Sequence, residues 1–104
     1  MTEYEDLHGQ SLRLTEEREG HIRTAHPELT NLPDFLGPTI RAPDRIVRSR
    51  TDEAVELFYR SFETIPVTSK CLCAVVKAAV EDPFILTAYF TDSIKRGEVL
   101  WTKT

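Results

Sequence analysis

Two histidines and a carboxylate fall close together in the run His21-Ile22-Arg23-Thr24-Ala25-His26-Pro27-Glu28. Histidine is the side chain whose ordinary pKa lets it take up and return a proton near neutral pH, so this run has the parts for acid–base chemistry. It also falls where a helix should end, and the negative end of a helix dipole favours a protonated imidazole. The spacing does not suit a metal: five residues apart is a poor helical zinc pair, and the segment is not H-E-x-x-H. Capping of the helix end is an equally simple role for His26 and for His21. The third histidine, His8, stands alone in a polar segment and has no chemistry assigned to it.

Cys71 and Cys73 are the two cysteines of the chain. In a strand, spacing i,i+2 points both to one face inside an apolar run, as small core residues. A disulfide at that spacing is geometrically poor, and a metal pair lacks two further ligands. Five arginines, Arg41, Arg45, Arg48, Arg50 and Arg60, crowd one stretch and either converge on an anion or line a solvated strand. Strand alternation puts Lys77, Thr87 and Tyr89 on one open face, which is equally what an ordinary solvent-facing sheet surface would present.

These residues need elements to hold them. Thr15 is a good N-cap, the acids Glu16, Glu17 and Glu19 favour a first turn, and a helix is predicted from about Glu16 to Thr24, ending before Pro27. A second helix is predicted from Asn31 or Leu32 to Arg41, with Phe35, Leu36 and Ile40 as its apolar face and a kink or break at Gly37-Pro38. From Ala42 onward the period becomes extended. Arg45 to Arg50, Ala54 to Phe62, Cys71 to Ala79 and Phe84 to Tyr89 read as strands, with Val99 to Trp101 as a short addition. Turns at Thr51-Asp52-Glu53 and Glu81-Asp82-Pro83, and a longer loop from Thr64 to Ser69, make the strands an antiparallel meander. In the strand from Phe84, the set Phe84, Leu86, Ala88 and Phe90 is apolar throughout and is expected to pack on the helices. The class is α+β: one or two N-terminal helices on one face of a roughly four-stranded antiparallel sheet.

A chain of 104 residues is sized for one domain, read here as residues 1 to 104, and it is long enough to bury a core without staples. Its 40% hydrophobic and 29% charged residues are ordinary globular values. No apolar stretch approaches the ~20 residues of a membrane helix, and the acidic N-terminus lacks a signal-peptide pattern, so a cytoplasmic protein without membrane partners is expected. A net charge of −4 argues against a surface that coats nucleic acid, although a local anion site fits within it. Residues 1 to 40 hold eight acidic and three basic side chains, whereas residues 41 to 60 hold five basic and four acidic. No glycine-rich phosphate loop, G-x-S-x-G elbow or Cys/His nucleophile pattern occurs.

The order of motifs resembles the barnase/EndoU/colicin/RelE-like nuclease fold, most closely its small phage and bacterial branch. The resemblance runs over about residues 11 to 101. Its pieces are Leu14-Thr15-Glu16-Glu17, His21-Ile22 with His26-Pro27-Glu28, Pro43-Asp44-Arg45-Ile46, Leu57-Phe58-Tyr59-Arg60, Val75-Val76-Lys77, Phe84 to Thr91, and Ile94-Lys95-Arg96-Gly97. It implies a toxin- or effector-like ribonuclease needing no metal or cofactor, with RNA as substrate and an antitoxin protein or the ribosome as partner. It implies His26 as the catalytic residue with His21 and Glu28 beside it, Arg60 as a phosphate cation and Arg48 as a second. Tyr59 and Tyr89 would stack on a base or donate a proton, and Thr87 would bond a phosphate oxygen, with Lys77 on the same face. Tyr59 and Arg60 are adjacent in a strand and point oppositely, so one of them is expected to be structural. The competing expectation is a noncatalytic protein-binding domain on the same fold.

Overall fold

A computed structural model describes residues 1–29, 31–62 and 71–103 of the chain. The loop expected from Thr64 to Ser69 lies outside the described residues. The elements are β1 (Thr2–Glu5), β2 (Ser11–Leu14), α1 (Glu16–Ala25), α2 (Leu32–Arg41), β3 (Arg45–Arg48), β4 (Val55–Ser61), β5 (Cys71–Lys77), β6 (Phe84–Thr91) and β7 (Val99–Thr102). The class is α+β as expected. The sheet, however, has seven strands in the order β1-β2-β6-β5-β4-β3-β7.

The meander β3-β4-β5-β6 is antiparallel throughout. Three short strands extend it. β1 and β2 form an N-terminal hairpin that meets β6 in parallel at Arg13↔Phe84, and β7 crosses back to pair with β3 instead of β6. The alternation of Leu12 and Leu14 and the run Val99 to Trp101 mark β2 and β7 in the sequence, whereas β1 and the partners of all three are set by neighbours distant in sequence.

α1 starts where Thr15 accepts a hydrogen bond from the Arg18 N–H at 3.2 Å, and it buries Ile22. α2 runs unbroken through Pro38, against the expected kink or break. Leu32, Leu36 and Ile40 are fully buried on one stripe, and the Thr39 hydroxyl donates to the Phe35 carbonyl at 2.7 Å. Burial of three large aliphatic side chains, at ~1.5–3 kcal/mol each, outweighs the one helical donor that proline lacks.

The sheet divides two apolar clusters. Leu72, Ala74 and Val76 of β5 join Ile22, Leu32, Leu36 and Ile40 on the helix side, while Cys71, Cys73 and Val75 join Val47, Leu57 and Tyr59 on the other. Both cysteines are free and buried, as expected of small core residues. The second face is therefore apolar at its centre, where a polar sheet surface was expected.

In β6 the expected apolar face is corrected in its first half. Val75 pairs with Thr87 but Val76 pairs with Ile85, so Leu86 is an extra residue in a bulge. Beyond the bulge Ala88 and Phe90 pack on the helix side as expected, but before it the parity is reversed: Ile85 takes the helix side and Leu86 joins the second cluster. Phe84 falls opposite Lys77.

Candidate functional site

A cleft of 590 Å³ opens on the second face of the sheet. Its floor is Val55, Leu57, Val75 and Leu86, with Thr87 and Tyr89 from β6. One wall is the β3–β4 turn, Ser49 to Asp52, and the other holds Lys95 and Arg96 from the segment between β6 and β7. The turn forms because the Asp52 carboxylate accepts from the Ala54 N–H at 3.0 Å while the Asp52 carbonyl accepts from the Val55 N–H.

The charge of this cleft is positive. Lys77 donates to the other oxygen of the Asp52 carboxylate, and that bond together with the Ala54 N–H holds Asp52 below the usual carboxylate range. The acid is thus neutralised within the protein. Arg50, Lys95 and Arg96 form no ion pair among the described residues. Three cations around an apolar floor suit a ligand with anionic groups and a flat apolar body.

His26 does not line this cleft, but its ring lies beside Tyr89, which does. It is the C-cap residue of α1, its backbone N–H bonding the Ile22 carbonyl, but its ring does not serve as the cap. Since β2 meets β6 through a single register pair, α1 packs along the rest of β6, and the His26 ring lies 5.7 Å from that of Tyr89. Nδ1 of His26 is 3.5 Å from Oε1 of Glu28, and both side chains are about one-third exposed. That separation is within ion-pair reach, with no hydrogen bond between the two side chains.

Tyr89, Cys73 and Tyr59 form one cross-strand row over β6, β5 and β4. Burial pushes the Cys73 thiol up to about 11 and the Tyr59 hydroxyl up to about 12. Tyr89 is pushed up as well, by burial first and then by its neighbour Cys73. All three are neutral at physiological pH.

The structure gathers His26, Glu28 and Tyr89, with Thr87 and Lys77 on the same face, and leaves the other expected site residues elsewhere. Tyr59 is 1% exposed and accepts from the Lys95 N–H at 3.1 Å, so it is a structural member of the pair Tyr59-Arg60 and cannot stack on a base. Arg60 points to the helix side, donating to the Ala42 carbonyl just past α2, with its guanidinium 5.6 Å from the Phe62 ring. Arg48 alternates with Val47, pairing with Glu98 at 2.9 Å and with the Glu53 carbonyl at 3.0 Å. His21 is exposed on α1. Thr87 lines the cleft, but its Oγ1 is sealed from solvent without a partner. The Pro43-Asp44-Arg45-Ile46 motif is structural, since Asp44 bonds the Ser61 N–H at 2.8 Å and its backbone bonds Tyr59 and Lys103.

The cations of the cleft were not singled out as a group by sequence. Arg50 stood among five arginines and Lys95-Arg96 in a turn, and only the pairing of β7 with β3 brings that turn beside Arg50. An adjacent Lys-Arg followed by Gly97 was the one local signal. Among the described residues, no group of three or more His, Cys, Asp or Glu side chains is placed to hold a metal. Compared with protein-family models, curated proteins and solved structures, the chain matches none.

Proposed function

We propose that the chain is an endoribonuclease whose substrate lies in the cationic cleft, with His26 as the proton-transfer group at its edge. The observation that carries this is the juxtaposition of an imidazole beside Glu28, Tyr89 and an apolar cleft rimmed by Arg50, Lys95 and Arg96. The reading rests also on the resemblance of the motifs to the barnase/EndoU/colicin/RelE-like nucleases.

The reaction follows from those parts. Nε2 of His26 takes the proton of a ribose 2′-OH, the 2′-oxygen bonds to phosphorus, and the bond from phosphorus to the 5′-oxygen breaks. The departing 5′-oxygen gains a proton from Tyr89 or from water, leaving a 2′,3′-cyclic phosphate and a 5′-hydroxyl. The cleft cations offset charge that builds on the phosphoryl oxygens. Arg50, Lys95 and Arg96 take the place that sequence gave to Arg60 and Arg48. Glu28, within ion-pair reach of the ring, stabilises the imidazolium.

End-labelled RNA incubated with purified protein in EDTA tests this. Cleavage that ends in cyclic phosphate and falls sharply in His26→Ala supports the reading. Binding of RNA with no cleavage would sink it and favour the noncatalytic binding domain.

A further inference from the structure

We infer that Tyr59, which does not itself line the cleft, is the positioning residue that holds Lys95 and Arg96 there as its anion-binding cations. The inference rests on the reading above for its substrate, but its geometry stands by itself. Residues 92 to 98 return across the second face of the sheet between β6 and β7, and they are fastened at three places. Ser93 closes a turn on the Thr91 hydroxyl at 3.2 Å. At the far end the Arg48 N–H donates to the Glu98 carbonyl at 2.8 Å while its side chain meets the Glu98 carboxylate. In the middle, the Lys95 N–H donates to the Tyr59 hydroxyl.

That middle bond is built, not incidental. Tyr59 is almost fully buried, and its hydroxyl lies beside Cys73, so it cannot swing out to follow a mobile segment. Removal of the hydroxyl leaves the Lys95 N–H without its protein partner and frees the two cation-bearing residues from the cleft wall. Gly97 reports how closely the segment is pressed down: a side-chain carbon there would collide with the Arg48 carbonyl oxygen and come within 2.8 Å of Val47 Cγ1. The segment therefore has one seating, and Tyr59 and Gly97 enforce it from two sides.

Labelled whole chain titrated with inorganic tripolyphosphate, followed by amide shifts of residues 49 to 52 and 94 to 98, tests the inference. Tyr59→Phe should weaken binding about fivefold, as loss of one hydrogen bond's net contribution would, and speed exchange of the Lys95 amide by about tenfold. The Lys95→Ala/Arg96→Ala variant should weaken binding further, and adding Tyr59→Phe to it should change binding by no more than about twofold, since Tyr59 acts through those two cations. Gly97→Ala should reproduce the loss with Tyr59 intact. A merely structural Tyr59 predicts additive effects, and additive effects would overturn the inference, as would unchanged binding in Tyr59→Phe or no binding by the wild type. Tyr59-dependent tripolyphosphate binding in a protein that cleaves no RNA leaves the inference standing and removes the ribonuclease reading. Cleavage indifferent to Tyr59→Phe does the reverse.

Discussion

His26 is the residue on which the proposed chemistry turns, and its surroundings separate two roles that sequence left open. Its backbone caps α1, whereas its ring faces Glu28 and Tyr89. Substitution by Ala keeps the backbone cap, so melting temperature should change little while RNA cleavage slows by about 10²–10⁴-fold, the usual size of acid–base catalysis. A drop in stability with cleavage intact would return His26 to a structural role. Tyr89 is held neutral well above its ordinary range by burial and by Cys73. Tyr89→Phe should therefore leave the shape of the pH–rate profile unchanged below pH ~10 and lower only its height. A lost or shifted limb of that profile would show Tyr89 titrating in the mechanism.

At the level of elements, the bulge in β6 and the row Tyr59–Cys73–Tyr89 make separate predictions. Ile85 is fully buried against the helices, and Ile85→Ala should cost about 2–5 kcal/mol in urea unfolding. Leu86 lies on the other face and lines the open cleft, so Leu86→Ala should cost about half as much or less. The reverse ranking would place the bulge elsewhere. The row sets alkaline stability. Cys73 and Tyr59 have ordinary values of 9.0 and 10.0 and are raised in the folded protein to about 11 and about 12. Above those ordinary values the unfolded chain loses protons that the folded chain keeps, so each group lowers stability as pH rises, by ~1.4 kcal/mol per unit. Stability should be level through neutral pH and decline from about pH 9 upward, with the raised Tyr89 hydroxyl extending the decline. Denaturant melts at fixed pH steps measure this, and Tyr59→Phe should reduce the slope above pH ~10.

The whole molecule carries a net charge of −4, with its cationic cleft as a local exception. Contacts from Arg50, Lys95 and Arg96 give a salt slope for single-stranded RNA of about −2 in log K against log salt, from ~0.7 per phosphate neutralised. A much steeper slope would mean a wider basic footprint than this cleft. Among the described residues no helix is long and apolar enough to cross a membrane. What composition and local pattern determined by themselves were the features set within one element: the Thr15 cap, the span of both helices, the meander from Arg45 to Thr91, the shared face of Cys71 and Cys73, and the common face of Lys77, Thr87 and Tyr89. Each depends on neighbours within a turn or a strand, where propensity and alternation act. Tertiary structure decided the rest, because the forces responsible join residues far apart in the chain. The bulge at Leu86 exchanged the faces of Ile85 and Leu86 at the start of β6, packing carried α2 through Pro38, and the crossing of β7 to β3 brought Lys95 and Arg96 opposite Arg50. The Tyr59 hydroxyl meets a backbone amide 36 residues away, and no local pattern encodes that bond.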